Sequence, residues 1–396
     1  MDNDVGVIDF TNPAAVDWFQ DRHRELLKMG ATVFKTDMGE AVPDDAVFYD
    51  GTSGRKSHNI YSLYYNKAAF ETGSAYSPEN AIVWCRSAWA GSQRYPVHWG
   101  GDPTCRFADM STELWGGLGL GLSGFAYWSH DIGGFIGKPT PELYIRWAQF
   151  GLLCSHARAH GSTPREPWEY GQIALRIFKE FVNFRYRLIP YLYGLSHLAQ
   201  QTGLPLLRAM VLEFQDDLAV RHLGSQYMLG PALLVAPVMD ESNSRQVYLP
   251  QGKWLDWWTK EIYHGPRNLS MEIPLDRIPL FLRQDSVLPL GEVTQWIGER
   301  QQDRLELHVF INTEASFTMY DEDDRPWQFR GKKADNQLTL EIPPYPYETL
   351  VILYGEKPKK ILLDEKVLPA NRLHETQQNT WSIQLPDRSK YMIVKY

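Results

Sequence analysis

The chain has 396 residues, 43% apolar and 22% charged, which is the balance of a folded protein of two or three domains and not of a disordered polymer. Its 40 basic and 48 acidic residues leave a net charge of −8, with no basic tail or arginine stripe, which argues against nucleic-acid binding by phosphate neutralisation. No run approaches the roughly 20 apolar residues of a membrane span, and MDNDVGVIDF lacks the basic and apolar segments of a leader, so a soluble cytoplasmic protein is expected.

The first two hundred residues alternate helix and strand. Thr11-Asn12-Pro13 reads as a capped helix start, followed by Val16, Phe19, His23, Leu26 and Leu27 at helical spacing and by Gly30 as the stop. ATVFKTD (31–37), AIVWCR (81–86), YPVHWGGD (95–102) and FAYWSHD (125–131) are short apolar runs that end in polar residues. Thr140-Pro141 opens a helix carrying Leu143, Trp147 and Phe150, which leads to a fifth candidate strand at Leu152 to His156; Val5 to Phe10 is a weaker sixth. Nearly continuous apolar strands are expected where a parallel sheet is buried on both faces. Chemistry collected at successive strand ends, here Asp37, Arg86, Asp102, His130 and His156, is the arrangement of a (β/α)8 barrel. A doubly wound open sheet is the alternative.

A helix from Gln172 to about Gln201, bent at Pro190, precedes a change to β character. LLVAPVM, RQVYLP, KWLDWW, LELHVFI, QLTLEI, ETLVILY, WSIQLP and YMIVKY are short strands parted by turn residues. The expected architecture is α/β plus all-β. It comprises the C-terminal part of a TIM barrel over residues 1–205, with about five of the eight strands needed for closure, then two β-sandwich-like domains at 206–290 and 291–396.

Asp37 and Asp102, both at strand ends, form the pair of carboxylates that glycoside hydrolysis requires, unless each only caps a helix or pairs with Lys35 or Arg86. Lys35 lies two residues before Asp37 on the same strand face, where a cation holds a nucleophilic carboxylate ionised. Glu40 is read as orienting this loop, and Trp99 either as the floor of a sugar pocket or as a core residue. His156 and His160 have the spacing of two ligands on a helix face, but the segment has no HExxH glutamate, so hydrogen bonding to a polar ligand is expected rather than metal binding. GLGLSG (119–124) matches GxGxxG but precedes a strand, which points to tight helix–strand packing and not to a dinucleotide site. Cys85, Cys105 and Cys154 are widely spaced, cannot all pair and have no zinc-type spacing, so neither a disulfide framework nor a structural zinc site is expected.

FKTDMGE (34–40), RSAWAGSQRYPVHWGGD (86–102), GLSGFAYWSHDIGGF (121–135) and HARAHGS (156–162) resemble glycoside hydrolase family 31. So do QYMLGPALLVAPV (226–238) and PLDRIPLFLRQDSVLP (274–289) in the β region. The lysine-bearing FKTDMGE is similar to the α-xylosidase branch, whereas α-glucosidases of the family usually carry a WxDMNE-type segment. The resemblance implies that Asp37 is the nucleophile and Asp102 the general acid/base, and that Lys35, Arg86, Trp99, Phe135 and His160 line the pocket for the non-reducing-end sugar. It implies a retaining double displacement on α-xylosides or xylose-bearing oligosaccharides, with no metal or organic cofactor. Full-length members also carry an N-terminal β-domain and the first barrel strands. This chain therefore reads as the C-terminal half of such an enzyme, with self-association or a complementary N-terminal half as the expected cover for its open barrel edge. α-Glucosidase activity and a catalytically incompetent fragment are the alternatives.

Overall fold

A computed structural model describes residues 6–78, 81–299, 303–346, 348–377, 379–386 and 390–396. Asn12 caps the first helix, α1 (Pro13–Lys28), by accepting a hydrogen bond from the Ala14 amide, as the Thr-Asn-Pro signature predicts. Strands β1 (Phe34–Thr36), β2 (Val83–Cys85), β3 (His98–Trp99) and β4 (Trp128–Ser129) pair in parallel and in chain order. They are connected through α2 (Gly54–Tyr76) and α3 (Phe107–Leu122). Sequential parallel order with helical crossovers is barrel connectivity, and the open-sheet alternative, which reverses strand order at a switch point, is not what forms. The helix α2 gave little apolar signal because its buried face includes Ser57, Ser62, Asn66 and Thr72 alongside Tyr61, Ala68 and Ala69.

Two expected strands are absent. Residues 6–10 form no strand, and Val5 lies outside the described residues. Leu152 to His156 follows α4 (Pro141–Gly151) as turns and bends. Leu152, Leu153 and Cys154 are apolar because they fill the core, and their carbonyls are satisfied by side chains, Tyr227 Oη in the case of Leu153, instead of a ladder. Arg185 donates to the carbonyl oxygens of Leu152 (2.9 Å), Cys154 (2.6 Å) and Ser155 (2.9 Å). Ser155 Oγ, in turn, bonds both the N–H and the C=O of Trp128. The parallel pair beyond β4 is instead β5 (Asp131–Ile132) with β6 (Arg158–Ala159). The bend expected at Pro190 falls at Leu188, between α5 (Gln172–Arg187) and α6 (Ile189–Thr202).

The next unit is a single six-stranded antiparallel sheet, not two layers. Its strands are β7 (Leu207–Ala209), β8 (Tyr227–Leu229), β9 (Leu233–Val235), β10 (Ser244–Asp256), β11 (Ile262–Glu272) and β12 (Leu280–Arg283), ordered β11-β10-β12-β9-β8-β7. RQVYLP and KWLDWW, read as two strands, are one strand with a register shift between Leu249 and Gly252. β11 escaped notice because it is an edge strand exposed along most of its length. β13 (Ser286–Leu290) pairs with Arg304–Phe310, so this segment belongs to the last unit's five-stranded sheet. That sheet and a six-stranded one, beginning at Glu314–Tyr320 and Pro326–Ala334, share one apolar core with the barrel helices. No described helix is long and apolar enough to cross a membrane, and the three cysteines are free.

Buried charge ties the units together. Arg146 of α4, 1% exposed, donates to the carbonyls of Ile273, Pro274 and Arg277 and to Asn243. Arg187 of α5 lies 2.9 Å from Glu306, whose carboxylate also meets His308 Nε2 at 2.6 Å; His308 Nδ1 meets Tyr354 Oη at 2.5 Å. Burial works to raise Glu306, but His308 and Arg187 outweigh it and leave it at about 2. A depressed carboxyl adds stability above its unfolded value near 4.3, and that stability is lost as pH falls through the folded value. Glu306→Gln is therefore expected to cost about 3 kcal/mol at pH 7. In chemical denaturation the difference from the parent should shrink as pH falls from about 4 toward 2.

Candidate active site

The C-terminal ends of β1, β2 and β3 bring together the residues singled out in the sequence. Asp37 follows β1, Arg86 follows β2, and Asp102 follows β3 through Gly100-Gly101. Arg86 is the hub. Its Nη1 lies 2.8 Å from Asp102 Oδ2 and 3.4 Å from Asp37 Oδ1, and its Nε lies 3.0 Å from Glu40 Oε1. Burial would lower the Arg86 pKa, but Glu40, Asp102 and Asp37 raise it. Glu40 thus braces Arg86, in keeping with an orienting role.

Because Asp37 and Asp102 contact one nitrogen, their nearer oxygens stand no more than about 6 Å apart. Lys35 Nζ sits 2.7 Å from Asp37 Oδ2, and the Met38 amide donates to Oδ1 at 2.9 Å. Burial works to raise Asp37, but Lys35, the Met38 amide and Arg86 together leave it below the ordinary carboxylate value. Aiming the Met38 amide at Asp37 places Met38 at φ 60° and Gly39 at φ 92°. A Cβ on Gly39 would come within 2.6 Å of Ser87 Oγ, so this turn requires glycine.

Trp99 is 3% exposed; its Nε1 donates to the Gly101 carbonyl and Lys35 Nζ stands 4.5 Å from its ring centre. It is thus both a core residue and part of the wall beside Asp37. Phe135 and His160 face each other with ring centres 5.4 Å apart. The Phe135 amide is tied to the Pro103 carbonyl, next to Asp102, at 2.7 Å. Burial, with Arg158 and Lys35, pushes His160 below its ordinary pKa, which keeps the imidazole neutral. His156 is not its partner, since it packs edge-on against Trp84 and the segment is not helical. Among the described residues no group of three or more His, Cys, Asp or Glu side chains is placed to hold a metal ion. The glycine-rich GLGLSG spans the end of α3, where Gly121 packs against Pro205 and the Leu207 carbonyl.

Residues 2–195 match the glycosyl hydrolases family 31 TIM-barrel domain, and residues 203–288 match the glycosyl hydrolase family 31 C-terminal domain. The chain belongs to glycoside hydrolase family 31. The α-xylosidase of Emericella nidulans is 40% identical over 316 residues, 77% of this chain and 40% of that protein. The α-xylosidase XylQ of Lactiplantibacillus pentosus is 42% identical over 303 residues, 72% of this chain and 39% of that protein. The chain thus spans about two fifths of the length of these relatives. A solved structure of the family 31 dextranase of Flavobacterium johnsoniae with glucose superposes with a TM-score of 0.90 at 27% identity, covering 99% of this chain and 56% of that one.

Two acidic residues beside the site, Asp131 and Glu113, were not singled out in the sequence. Asp131 is fully buried and bonded to Arg158, and Glu113 of α3 abuts Gly100 so closely that a Cβ there would clash with its carboxylate. The signal for Asp131 was its place at the end of FAYWSHD, where His130 was noted instead. His130 faces the core, accepts a hydrogen bond from Trp147 Nε1 at 2.8 Å and is pushed down to about 3 by burial. Replacing Lys35 with Met removes the main group holding Asp37 low. Titration of the Asp37 carboxyl by carbon-13 NMR is expected to show a higher midpoint in Lys35→Met than in the parent.

Proposed function

We propose that this chain carries the catalytic carboxylates of a retaining glycosidase that releases terminal α-linked xylose. The reading rests on one observation: Asp37 and Asp102 share Arg86 Nη1, which keeps their nearer oxygens within about 6 Å, a closeness that supports double displacement. Asp37, ionised beside Lys35, attacks the anomeric carbon as the bond to the leaving oxygen breaks. Asp102 delivers its proton to that oxygen, leaving a glycosyl ester on Asp37. Asp102 then takes a proton from water, which attacks the same carbon, frees Asp37 and yields the sugar with its starting configuration. Trp99, Phe135 and His160 wall the space around the ring, where aromatic faces suit sugar C–H groups and the neutral imidazole bonds hydroxyls.

Xylose in preference to glucose is supported by the two α-xylosidase relatives and by the lysine of FKTDMGE. A second reading, that a complementary polypeptide or a second copy completes the site, is supported by β1, whose outer edge pairs with no described strand, and by Asp37, whose side chain is 42% exposed. The test is hydrolysis of an aryl α-xyloside by the purified chain, with its size measured by chromatography. Asp37→Ala is expected to lower the rate at least about 1,000-fold. Proton NMR should show α-xylose as the first product, and the matched aryl α-glucoside should be cleaved more slowly. Turnover that survives Asp37→Ala would contradict the assignment.

A further inference from the structure

The pairing of β5 with β6 sets Asp131 directly opposite Arg158. Asp131 is wholly buried, and its Oδ1 accepts from both Nε (2.8 Å) and Nη2 (2.5 Å) of that arginine. Its Oδ2 has no hydrogen-bond partner among the described residues. The Arg158 guanidinium lies 4.8 Å from the ring centre of Trp84 and 5.3 Å from that of Trp99. Trp99 carries a second cation, Lys35, which in turn holds Asp37. A buried carboxylate, two indoles and two cations therefore run without a break to the nucleophile.

We propose that Asp131 is a positioning residue of this site, fixing the Arg158 guanidinium across Trp84 and Trp99 and thereby placing the indole wall against which Lys35 and Asp37 are set. The proposal rests on the glycosidase reading for its purpose, but not for its geometry. The charged groups facing Asp131 come from four elements: Arg158 of β6, Lys35 of β1, Asp102 after β3 and Glu113 of α3. Burial pushes Asp131 up to about 6, Arg158 and Lys35 pull it back, and Asp102 adds to the rise. Glu113 is pushed up to about 8 by burial, with Asp131 and Asp109 adding to it, so it stays protonated at neutral pH and leaves Asp131 as the anion that holds Arg158. Below pH 6 Asp131 takes a proton and its grip on Arg158 weakens.

The test follows the tryptophans, independently of turnover. With indole nitrogen-15 labelling, and Trp84→Phe and Trp99→Phe used for assignment, both indole signals are expected to shift together with a midpoint near pH 6. Asp131→Asn should flatten that transition between pH 5 and 7.5 while the remaining indole signals report an intact fold, and Asp131→Glu should restore a titration. On an aryl α-xyloside at pH 7, Asp131→Asn is expected to lower kcat at least about tenfold with little change in KM. Indole signals that do not titrate in the parent, or that titrate unchanged in Asp131→Asn, would overturn the proposal. A parent chain that shows the titration but no turnover would support the positioning geometry and count against the glycosidase reading alone.

Discussion

One guanidinium organises the catalytic face. Arg86 stands between three carboxyl groups, touching Asp37, Glu40 and Asp102 and so gathering side chains that follow three different strands or their turns. Its reach also bounds the spacing, because a single nitrogen touching both Asp37 and Asp102 keeps their nearer oxygens within about 6 Å. Parallel pairing of β1, β2 and β3 puts these side chains at one end of the sheet, and the turn at Met38 and Gly39 aims an amide at Asp37. The chemistry is therefore a property of strand order and of one shared arginine.

Around that arginine the site is layered by charge. Lys35 and the Met38 amide favour the ionised form of Asp37, while burial in the barrel favours the protonated form of Glu113 and the neutral form of His130. The same rule acts far from the site, where Glu306 is held low by His308 and Arg187 at the junction of α5 with the last β unit. Whether a carboxyl falls or rises depends on which is larger, the pull of its cation partners or the cost of burial: Asp37 and Glu306 fall, whereas Asp131 rises in spite of Arg158.

Much of this was legible in the sequence, for identifiable reasons. Strand-end polar residues after apolar runs pointed to Asp37, Arg86 and Asp102, since parallel strands bury their bodies and expose their C-terminal ends. The capped start of α1 and the break near Pro190 followed from local backbone chemistry. What failed were readings in which an apolar run was equated with a ladder: Leu152, Leu153 and Cys154 are buried, but the carbonyls of residues 152–155 are taken by the side chains of Arg185 and Tyr227. Asp131 was missed because an acid beside a histidine in an aromatic run gives no sign of which of the two faces the site. The first β unit was expected as two layers because strand spacing does not say which strands share a sheet, and the bulge that joins two runs into β10 reads as a turn.

The central claim is that Asp37 forms a covalent bond to the sugar. It is tested most directly by trapping that bond with a 5-fluoro-α-xylosyl fluoride, which slows release of the ester, and locating the label by peptide mass spectrometry. The account predicts a single fluoroxylosyl adduct on Asp37, absent when Asp37 is replaced. A label on Glu40 or Asp102, or turnover of an α-xyloside with retention and no adduct on Asp37, would contradict it.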